Sequence, residues 1–356
     1  MVELAEGAQR DKPLRICQLF TSVETGGLEK HVQELSSWQL QNCEAEVYVI
    51  AHPRYRAMFP AGVHFLAVNT DRGRRNPLLS FELLRLMRRY RFDLVHAHAA
   101  KPAYLMRRLQ RWIPGKVVLT RHNVANPKDS LSKHFPHRIA VSQMAVANSA
   151  LRWQVIPNGT RLPKLGEGYR SVLDSGKPAV ISVARLVPAK GIDLLLRAWA
   201  QAQVGDAVLY ILGDGPLRAE LERLGDELQL GERVKFVGFQ SHVADWMSVA
   251  DLMVVASSKE GAPYTVAEAL LAGCPLVSTH VGNVAENIPA SYLVDIGDTA
   301  GLAVKLTSAL GDLEQLRDNY SPYFARARER LTLDAMATET MKVYRTALAS
   351  APLVTE

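Results

Sequence analysis

Two glutamates, Glu260 and Glu268, flank a short turn in the second half of the sequence and have the chemistry to bind a ligand. An apolar run at 250–255 precedes the turn and a helical pattern at 264–272 follows it, so we predict a strand, a loop and a helix. Open parallel sheets bind ligands at the carboxyl ends of their strands, and backbone amides that open a helix attract phosphate. One carboxylate could therefore contact a sugar and the other a ribose.

Both glutamates also have purely structural explanations. Residues Thr265 to Glu268 fit a capping box, in which Glu268 would only close the first helical turn on its own backbone. Glu260 fits an acidic loop residue that is solvated and contacts no ligand. The spacing alone does not decide between binding and structure.

Two positive charges stand at the end of another predicted strand. Arg185 and Lys190 follow the apolar run at 179–184 and are five residues apart. Two cations in such a loop can bracket a diphosphate and neutralise the charge that grows on a leaving group. Taken alone, they fit solvated loop residues better.

Two histidines stand at predicted strand ends in the first half of the chain. His98 ends the run at 93–98, and His122 lies at the end of the run at 116–123, next to Arg121. Side chains at strand ends face the crevice of a parallel sheet, so these are candidates for substrate contact, with His98 and Arg121 on the acceptor side. Metal binding is the alternative. No carboxylate or cysteine stands at ligand spacing, so we expect no metal.

A glycine pair, Gly26 and Gly27, lies between a predicted strand at 14–20 and a predicted helix at 29–41. Glycines in such a turn let the backbone approach a phosphate closely. A tight turn that binds nothing can use the same pair. We interpret His31, near the start of the helix, as an ordinary helix residue.

The length of 356 residues exceeds one ordinary core and suits two α/β domains. We predict a first domain at 1–164, a linker at 165–177, a second domain at 178–332 and a C-terminal helix at 333–356. Three widely spaced cysteines indicate neither a disulfide framework nor a metal knuckle, and a reducing cytoplasm is the expected compartment. No run reaches the roughly 18 apolar residues of a membrane span, and the first residues lack a signal core.

Charge is distributed unevenly along the chain. Residues 1–165 carry 25 Lys and Arg against 12 Asp and Glu, whereas 166–356 carry 17 against 24. A basic first half favours an anionic partner, either phospholipid headgroups or a phosphorylated acceptor. The arginines are not interleaved with exposed aromatics, so we expect no nucleic-acid partner.

A predicted helix at 79–90 is both basic and amphipathic. Phe81, Leu84 and Met87 or Tyr90 form its apolar face, and Arg85, Arg88, Arg89 and Arg91 lie elsewhere. Most such faces pack on a sheet. A basic amphipathic helix can also rest on a membrane surface.

The turn at 260–263 belongs to a longer pattern that resembles a known enzyme family. Glu-Gly-x-Pro at 260–263, Glu-Ala at 268–269 and Gly-x-Pro-Leu-Val at 273–277 resemble the glutamate-pair signature of family 4 glycosyltransferases. Thr120-x-His122 and Asn158-Gly159 are also similar to family motifs, although Thr160 replaces the usual Val-Asp.

This resemblance extends over nearly all of the chain and implies an α/β fold of the GT-B type. Such a fold has two facing Rossmann-like doubly wound domains and a C-terminal helix that crosses back to the first domain. The family consists of retaining enzymes that use nucleotide-sugars, and it needs no metal or other cofactor.

The resemblance also implies a role for each candidate. Glu260 and His122 would contact the transferred sugar, and Glu268 would hold the ribose hydroxyls. Arg185 and Lys190 would clamp the diphosphate, so that Glu260, His122, Arg185 and Lys190 form the catalytic set. The other implied donor contacts are Gly26, Gly27, Phe239, Ala262, Pro263, Tyr264 and Thr265.

The predicted reaction moves a sugar from a nucleoside-diphosphate sugar, with UDP favoured, to a hydroxyl of a glycan or glycolipid acceptor. Lipopolysaccharide or surface polysaccharide assembly at the inner face of the cytoplasmic membrane is the predicted setting. Two alternatives remain. One is a nucleotide-sugar epimerase or a phosphorylase of the same fold, and the other is a catalytically silent binding protein.

Overall fold

The computed structural model describes residues 12–23, 26–122, 129–162, 173 and 176–350. The chain divides into two compact units. Unit 1 comprises Met1–Gly159 together with Leu333–Glu356, and unit 2 comprises Thr160–Thr332. Most of the predicted linker at 165–177 lies outside the described residues.

Unit 1 contains a parallel seven-stranded sheet. Its strands are Leu14–Leu19 (β1), Ala45–Ala51 (β2), His64–Ala67 (β3), Leu94–His98 (β4), Lys116–Arg121 (β5), His137–Ala140 (β6) and Gln154–Val155 (β7). The strand order is β3-β2-β1-β4-β5-β6-β7. The order reverses between β1 and β4, and such a switch point opens a crevice at the carboxyl ends of the strands.

Helices cover this sheet. They are Gly27–Asn42 (α1), Pro77–Tyr90 (α2), Ala100–Leu109 (α3) and Asp129–Ser132 (α4). Our prediction for the buried face of α2 was wrong at one position. Leu79, Leu83 and Met87 are buried on α2, whereas Phe81 is 69% exposed. The helix therefore presents an aromatic ring to solvent among its arginines.

Unit 2 contains a parallel six-stranded sheet. Its strands are Ala179–Val183 (β8), Val208–Leu212 (β9), Val234–Gly238 (β10), Leu252–Val255 (β11), Leu276–Thr279 (β12) and Leu293–Val294 (β13). The order is β10-β9-β8-β11-β12-β13, so the switch point lies between β8 and β11. These strands read as apolar runs because helices cover the faces of such a sheet.

The helices of unit 2 follow its strands along the chain. They are Ile192–Gln201 (α5), Arg218–Glu227 (α6), Val243–Val249 (α7), Tyr264–Ala272 (α8), Thr299–Gly311 (α9) and Leu313–Arg330 (α10). The last helix, Leu333–Ala349 (α11), packs on α1, β5 and β6 of unit 1. The chain thus returns to its first unit, as the resemblance implied. Among the described residues, every helix is too short or too polar to cross a bilayer.

Candidate functional site

The loops after β8 and β11 bring a lysine and a glutamate together that are 70 residues apart in sequence. Lys190 Nζ donates a hydrogen bond to Glu260 Oε1 at 2.5 Å. The hydroxyl of Ser257 donates to the same oxygen at 2.8 Å. The side chains of Lys190 and Glu260 are 29% and 13% exposed, so the pair is only partly desolvated. The structure therefore places two of the predicted catalytic residues in direct contact at the switch point of unit 2.

Gly191 makes this contact sterically feasible. Its φ angle is 61°, and a Cβ atom at this position would lie 2.2 Å from the carbonyl oxygen of Ala256. The backbones of the two loops are also hydrogen-bonded to each other, because Ser258 N–H donates to Ala189 O at 2.9 Å. A residue without a side chain lets the loop that carries Lys190 lie directly against the end of β11.

The amino terminus of α8 lies at the end of the turn that carries Glu260. Helix α8 begins at Tyr264, and among the described residues no side chain caps it at Pro263. Thr265 is therefore the second residue of the helix and not its N-cap, so the capping-box explanation for Glu268 is wrong. Glu268 lies half-buried within the second turn. The turn is supported from behind by Asn283, whose N–H donates to Gly261 O at 3.1 Å.

The other predicted donor residues lie along the same edge of the sheet. Arg185 is exposed just after β8. Phe239 directly follows β10 and is 78% exposed. Because β9 separates β10 from β8, the backbone at Phe239 lies about 10 Å from the Arg185 strand. The ring of Phe239 is therefore better placed to contact a group attached to the diphosphate than to contact the diphosphate itself.

Unit 1 holds a cluster of four histidines at the carboxyl end of its sheet: His31, His96, His98 and His122. His98 Nδ1 lies 3.0 Å from His122 Nε2. The ring of His31 meets that of His122 edge-on, with centroids 4.7 Å apart. His96 contacts Thr120 Oγ1 at 2.5 Å through Nε2. His122 is half-buried, whereas the other three are at most 2% exposed.

The two residues that we predicted on the acceptor side, His98 and Arg121, both make contacts within unit 1. His98 is fully buried, and both of its ring nitrogens are engaged, by His122 and by Gln18. Arg121 is turned toward the backbone, since its Nε donates to Ala145 O at 2.7 Å. His98 contacts His122 and Arg121 is partly buried, and a contact of either residue with the acceptor stays a prediction.

Sequence reasoning missed the importance of His31. It is no ordinary helix residue, because it is 2% exposed and its Nδ1 lies 3.1 Å from Asn158 Oδ1. Its Nε2 is buried and has no hydrogen-bond partner among the described residues. The available signal was Gln18, a polar residue inside the otherwise apolar end of β1, which marks a polar network in the core.

The glycine turn at Gly26 and Gly27 leads into α1, the helix that carries His31 of this cluster. Gly26 precedes the helix, and its N–H donates to the carboxylate of Glu29 at 2.7 Å. Glu29 is 2% exposed, and its Oε1 has no hydrogen-bond partner among the described residues. The predicted phosphate-approach turn and His31 therefore belong to the same end of one helix.

Three members of the cluster could hold a metal ion. Ring nitrogens of His31, His98 and His122 all lie within 4.8 Å of one another. No sequence spacing indicated this grouping, because the three residues come from α1, β4 and the end of β5. Imidazole nitrogens suit zinc and similar ions, whereas a hydrogen bond between His98 and His122 uses two of the same atoms.

Acid is expected to destabilise unit 1. Burial lowers the pKa of His31 to about 4, against a weaker opposing effect of the Asn158 hydrogen bond. An unfolded histidine has a pKa near 6.5, so below that pH the unfolded chain binds a proton that folded His31 does not. Stability therefore falls as pH falls from about 6.5 to about 4, by about 1.4 kcal/mol per pH unit for this residue.

This pH dependence can be checked by calorimetry between pH 7.5 and 4.5. We expect His31→Gln to flatten the decline of the melting temperature, because one proton-binding difference is removed. His64→Gln, a replacement of an exposed histidine, is the control for the loss of a histidine as such. A wild-type melting temperature that stays constant down to pH 5 would contradict the assignment.

Two protein-family models match the chain. The model described as Glycosyltransferase Family 4 matches residues 25–162, and the model described as Glycosyl transferases group 1 matches residues 177–312. Together the two matches extend through most of both units. They include His31 and His122 in the first match and the Lys190–Glu260 pair in the second.

Similar proteins are known at moderate identity. The chain is 26% identical over 301 residues to N-acetyl-alpha-D-glucosaminyl L-malate synthase of Bacillus anthracis, covering 75% of this chain and 77% of that protein. It is 32% identical over 208 residues to the lipopolysaccharide core biosynthesis glycosyltransferase LpsD of Rhizobium meliloti, covering 56% of each. The crystal structure of Anabaena HepE in complex with UDP and glucose superposes with a TM-score of 0.78 at 20% identity, covering 94% of this chain and all of HepE.

Proposed function

Because this chain belongs to the family 4 glycosyltransferases, we propose that it transfers a sugar from a nucleoside-diphosphate sugar to a hydroxyl of a glycan or glycolipid. The α/β class and the GT-B fold are confirmed by the two parallel sheets and by the likeness to glycosyltransferase structures. The donor, the acceptor and the stereochemistry are the content of the proposal.

The contact between Lys190 and Glu260 beside the start of α8 carries this proposal. A nucleotide-sugar needs positive charge and amides for its diphosphate, and it needs a carboxylate to accept hydrogen bonds from sugar hydroxyls. Unit 2 provides all three at one switch point. Glu268 in the second turn of α8 is our candidate for the ribose, and exposed Phe239 is our candidate for the base.

The proposed transfer proceeds with retention and without a covalent enzyme intermediate. The bond between the anomeric carbon and the diphosphate oxygen breaks, and its electron pair goes to that oxygen. The acceptor hydroxyl attacks from the same face, and its proton passes to the departing diphosphate. Lys190 and Arg185 stabilise the charge on the leaving group, which is the main catalytic contribution that fixed cations make.

UDP is our first choice of nucleotide because HepE, a structural relative, is known in complex with UDP and glucose. Lipopolysaccharide or surface polysaccharide assembly is our first choice of setting because LpsD is a sequence relative. We propose that no metal is required, because Arg185 and Lys190 supply positive charge at the diphosphate.

Calorimetric binding to a matched panel tests the donor. The panel contains UDP, GDP and ADP, each with its glucose, galactose, mannose or N-acetylglucosamine derivative. We expect one nucleotide series to bind, and we expect EDTA to leave both binding and turnover unchanged. If no member of the panel binds, the proposal is wrong. Anomeric NMR of the product separates retention from inversion, and formation of product without an acceptor would indicate an epimerase.

A surface of unit 1 suits contact with an anionic membrane, which we propose as the location of the acceptor. On α2, Leu78 and Phe81 are 62% and 69% exposed. Arg85 and Arg88 are exposed one and two turns further along the same helix. Arg88 Nε reaches Trp112 O at 3.5 Å, and Trp112 is itself 43% exposed. Exposed apolar rings beside arginines are typical of helices that lie at a lipid interface.

Removal of charge from this surface should weaken vesicle binding. Each arginine near an anionic surface contributes about 1 kcal/mol, so we expect Arg85→Gln with Arg88→Gln to reduce binding about 30-fold. Sedimentation with phosphatidylglycerol and with phosphatidylcholine vesicles measures this. Arg197→Gln with Arg223→Gln, at exposed positions of unit 2, is the charge-matched control. Equal binding to both vesicle types would contradict the membrane contact.

A further inference from the structure

A directional chain of hydrogen bonds runs through the core of unit 1 and ends at His122. It begins at Met341 on α11, whose Sδ accepts from Gln39 Nε2 at 3.5 Å. Gln39 Oε1 accepts from Gln18 Nε2 at 2.9 Å, and Gln18 Oε1 accepts from His98 Nε2 at 2.8 Å. His98 Nδ1 then meets His122 Nε2 at 3.0 Å. The first four residues are 0% exposed, so their polar groups must satisfy one another.

The thioether of Met341 sets the direction of this chain. A thioether sulfur accepts a hydrogen bond and has no proton to donate. Gln39 therefore turns its NH₂ toward the sulfur and its oxygen toward Gln18. Gln18 must donate to that oxygen, which leaves its own oxygen for His98. If both amides were reversed, the oxygen of Gln39 would face the sulfur, which has no proton to donate.

The direction continues through the two imidazole rings. A neutral imidazole has one donor and one acceptor nitrogen. His98 donates from Nε2, so its Nδ1 is an acceptor, and His122 must donate to it from Nε2. His98 is fully buried, which disfavours its charged form, and two doubly protonated rings could not form this hydrogen bond because one of the facing nitrogens must carry a lone pair. The nitrogen of His122 that carries a lone pair is then Nδ1.

We propose that Gln18 is a positioning residue, which through His98 fixes the tautomer in which His122 presents the Nδ1 lone pair to substrate. This inference rests on the proposed function, in which His122 contacts the transferred sugar. A lone pair accepts a hydrogen bond, so a hydroxyl of the sugar must donate one to His122 Nδ1. The opposite tautomer would present an N–H and would reverse this hydrogen bond. The amide of Gln18, which touches no substrate, thereby decides which sugar group His122 recognises.

Tyr344 provides a matched comparison for Gln18. Its hydroxyl lies 3.1 Å from Gln18 Nε2 and 2.6 Å from His96 Nδ1. Tyr344→Phe therefore removes a buried polar contact of Gln18 but leaves the path from Gln39 through Gln18 to His98 intact. Gln18→Leu removes the acceptor that His98 needs at Nε2, because the leucine side chain has no hydrogen-bonding atom.

Long-range ¹H–¹⁵N NMR of the full chain with ¹⁵N-labelled histidine reads the tautomers directly. The chain has 10 histidines, and spectra of His98→Gln and His122→Gln assign the two that matter. In the wild type at pH 7.5 we expect both rings to be neutral with the proton on Nε2. Tyr344→Phe should retain this pattern, whereas Gln18→Leu should lose it at both rings. A wild-type His122 with its proton on Nδ1 would overturn the proposal, whether or not either variant folds.

Turnover adds a second measurement. Loss of a correctly directed hydrogen bond costs about 1.4 kcal/mol, so kcat/KM for the donor should fall about 10-fold in Gln18→Leu. A metal ion on His31, His98 and His122 would replace the proton between the last two rings. The spectra are therefore expected to coincide before and after EDTA treatment, and an EDTA-dependent change at His122 would overturn the proposal. The NMR measurement of the tautomer needs no substrate. A failure of donor binding would therefore contradict the proposed function without affecting the test of the tautomer.

Discussion

Replacement of Lys190 by alanine is expected to lower kcat about 10²–10³-fold, the usual loss when one fixed donor to a developing anion is removed. Lys190 Nζ lies 2.5 Å from Glu260 Oε1. The carboxylate thus holds the ammonium group at the start of the proposed diphosphate site. Its contribution should appear mainly in kcat, because the charge on the leaving group is largest in the transition state.

A control separates this effect from loss of local charge or of folding. Lys259 is exposed in the same loop as Glu260, and Lys259→Ala should retain turnover within about twofold. The Lys190–Glu260 pair is partly exposed, and such pairs contribute about 1 kcal/mol or less, so Lys190→Ala should remain folded. If Lys190→Ala retained wild-type kcat, the diphosphate clamp would be assigned to the wrong residue.

Gly191→Ala is expected to damage the same site through the backbone. A Cβ atom there would lie 2.2 Å from Ala256 O, and neither backbone segment can move without displacing its loop. A shift of about 1 Å in a group that positions substrate can cost about 10²-fold in rate. The left-handed conformation adds about 1–2 kcal/mol of destabilisation for any residue with a side chain. We therefore expect a lower melting temperature together with a large loss of kcat/KM.

Gly205→Ala distinguishes the steric conflict from the conformational cost. Gly205 has a φ angle of 60°, nearly that of Gly191, but among the described residues beyond its chain neighbours no atom lies within 4 Å of its Cβ position. This variant should lose similar conformational stability and retain turnover, as measured by calorimetry and donor kinetics. Equal losses of activity in both variants would show that the contact at Ala256 does not matter for the site.

Much of the secondary structure could be predicted from local sequence. The predicted bounds of α8, 264–272, agree with the structure residue for residue, and the strands predicted at 14–20 and 179–184 each end one residue earlier, at Leu19 and Val183. Helix α8 has Pro263 directly before its first residue and Gly273 directly after its last. Each signal acts within a few residues, so it is readable without knowledge of the rest of the chain.

Predictions failed where a side chain's surroundings come from distant segments. Phe81 satisfied the helical period of α2 and was still left exposed, because the position of the sheet relative to the helix decides which stripe is buried. Thr265 matched a capping box by type and spacing, but the helix already begins at Tyr264. The end of β4 at His98 was predicted, whereas the contacts of its ring with His122 and Gln18 were not.

By itself, the sequence determined the α/β class, the strand-end positions of the charged residues and the family to which they belong, because periodicity and motif order are properties of neighbouring residues. Only the tertiary structure decided that Lys190 contacts Glu260, and that His31, Gln18 and Met341 join the environment of His122. Those contacts connect α1, α11 and strands that are far apart in sequence. Their geometry depends on how parallel strands align and how helices pack across them, which no local pattern specifies.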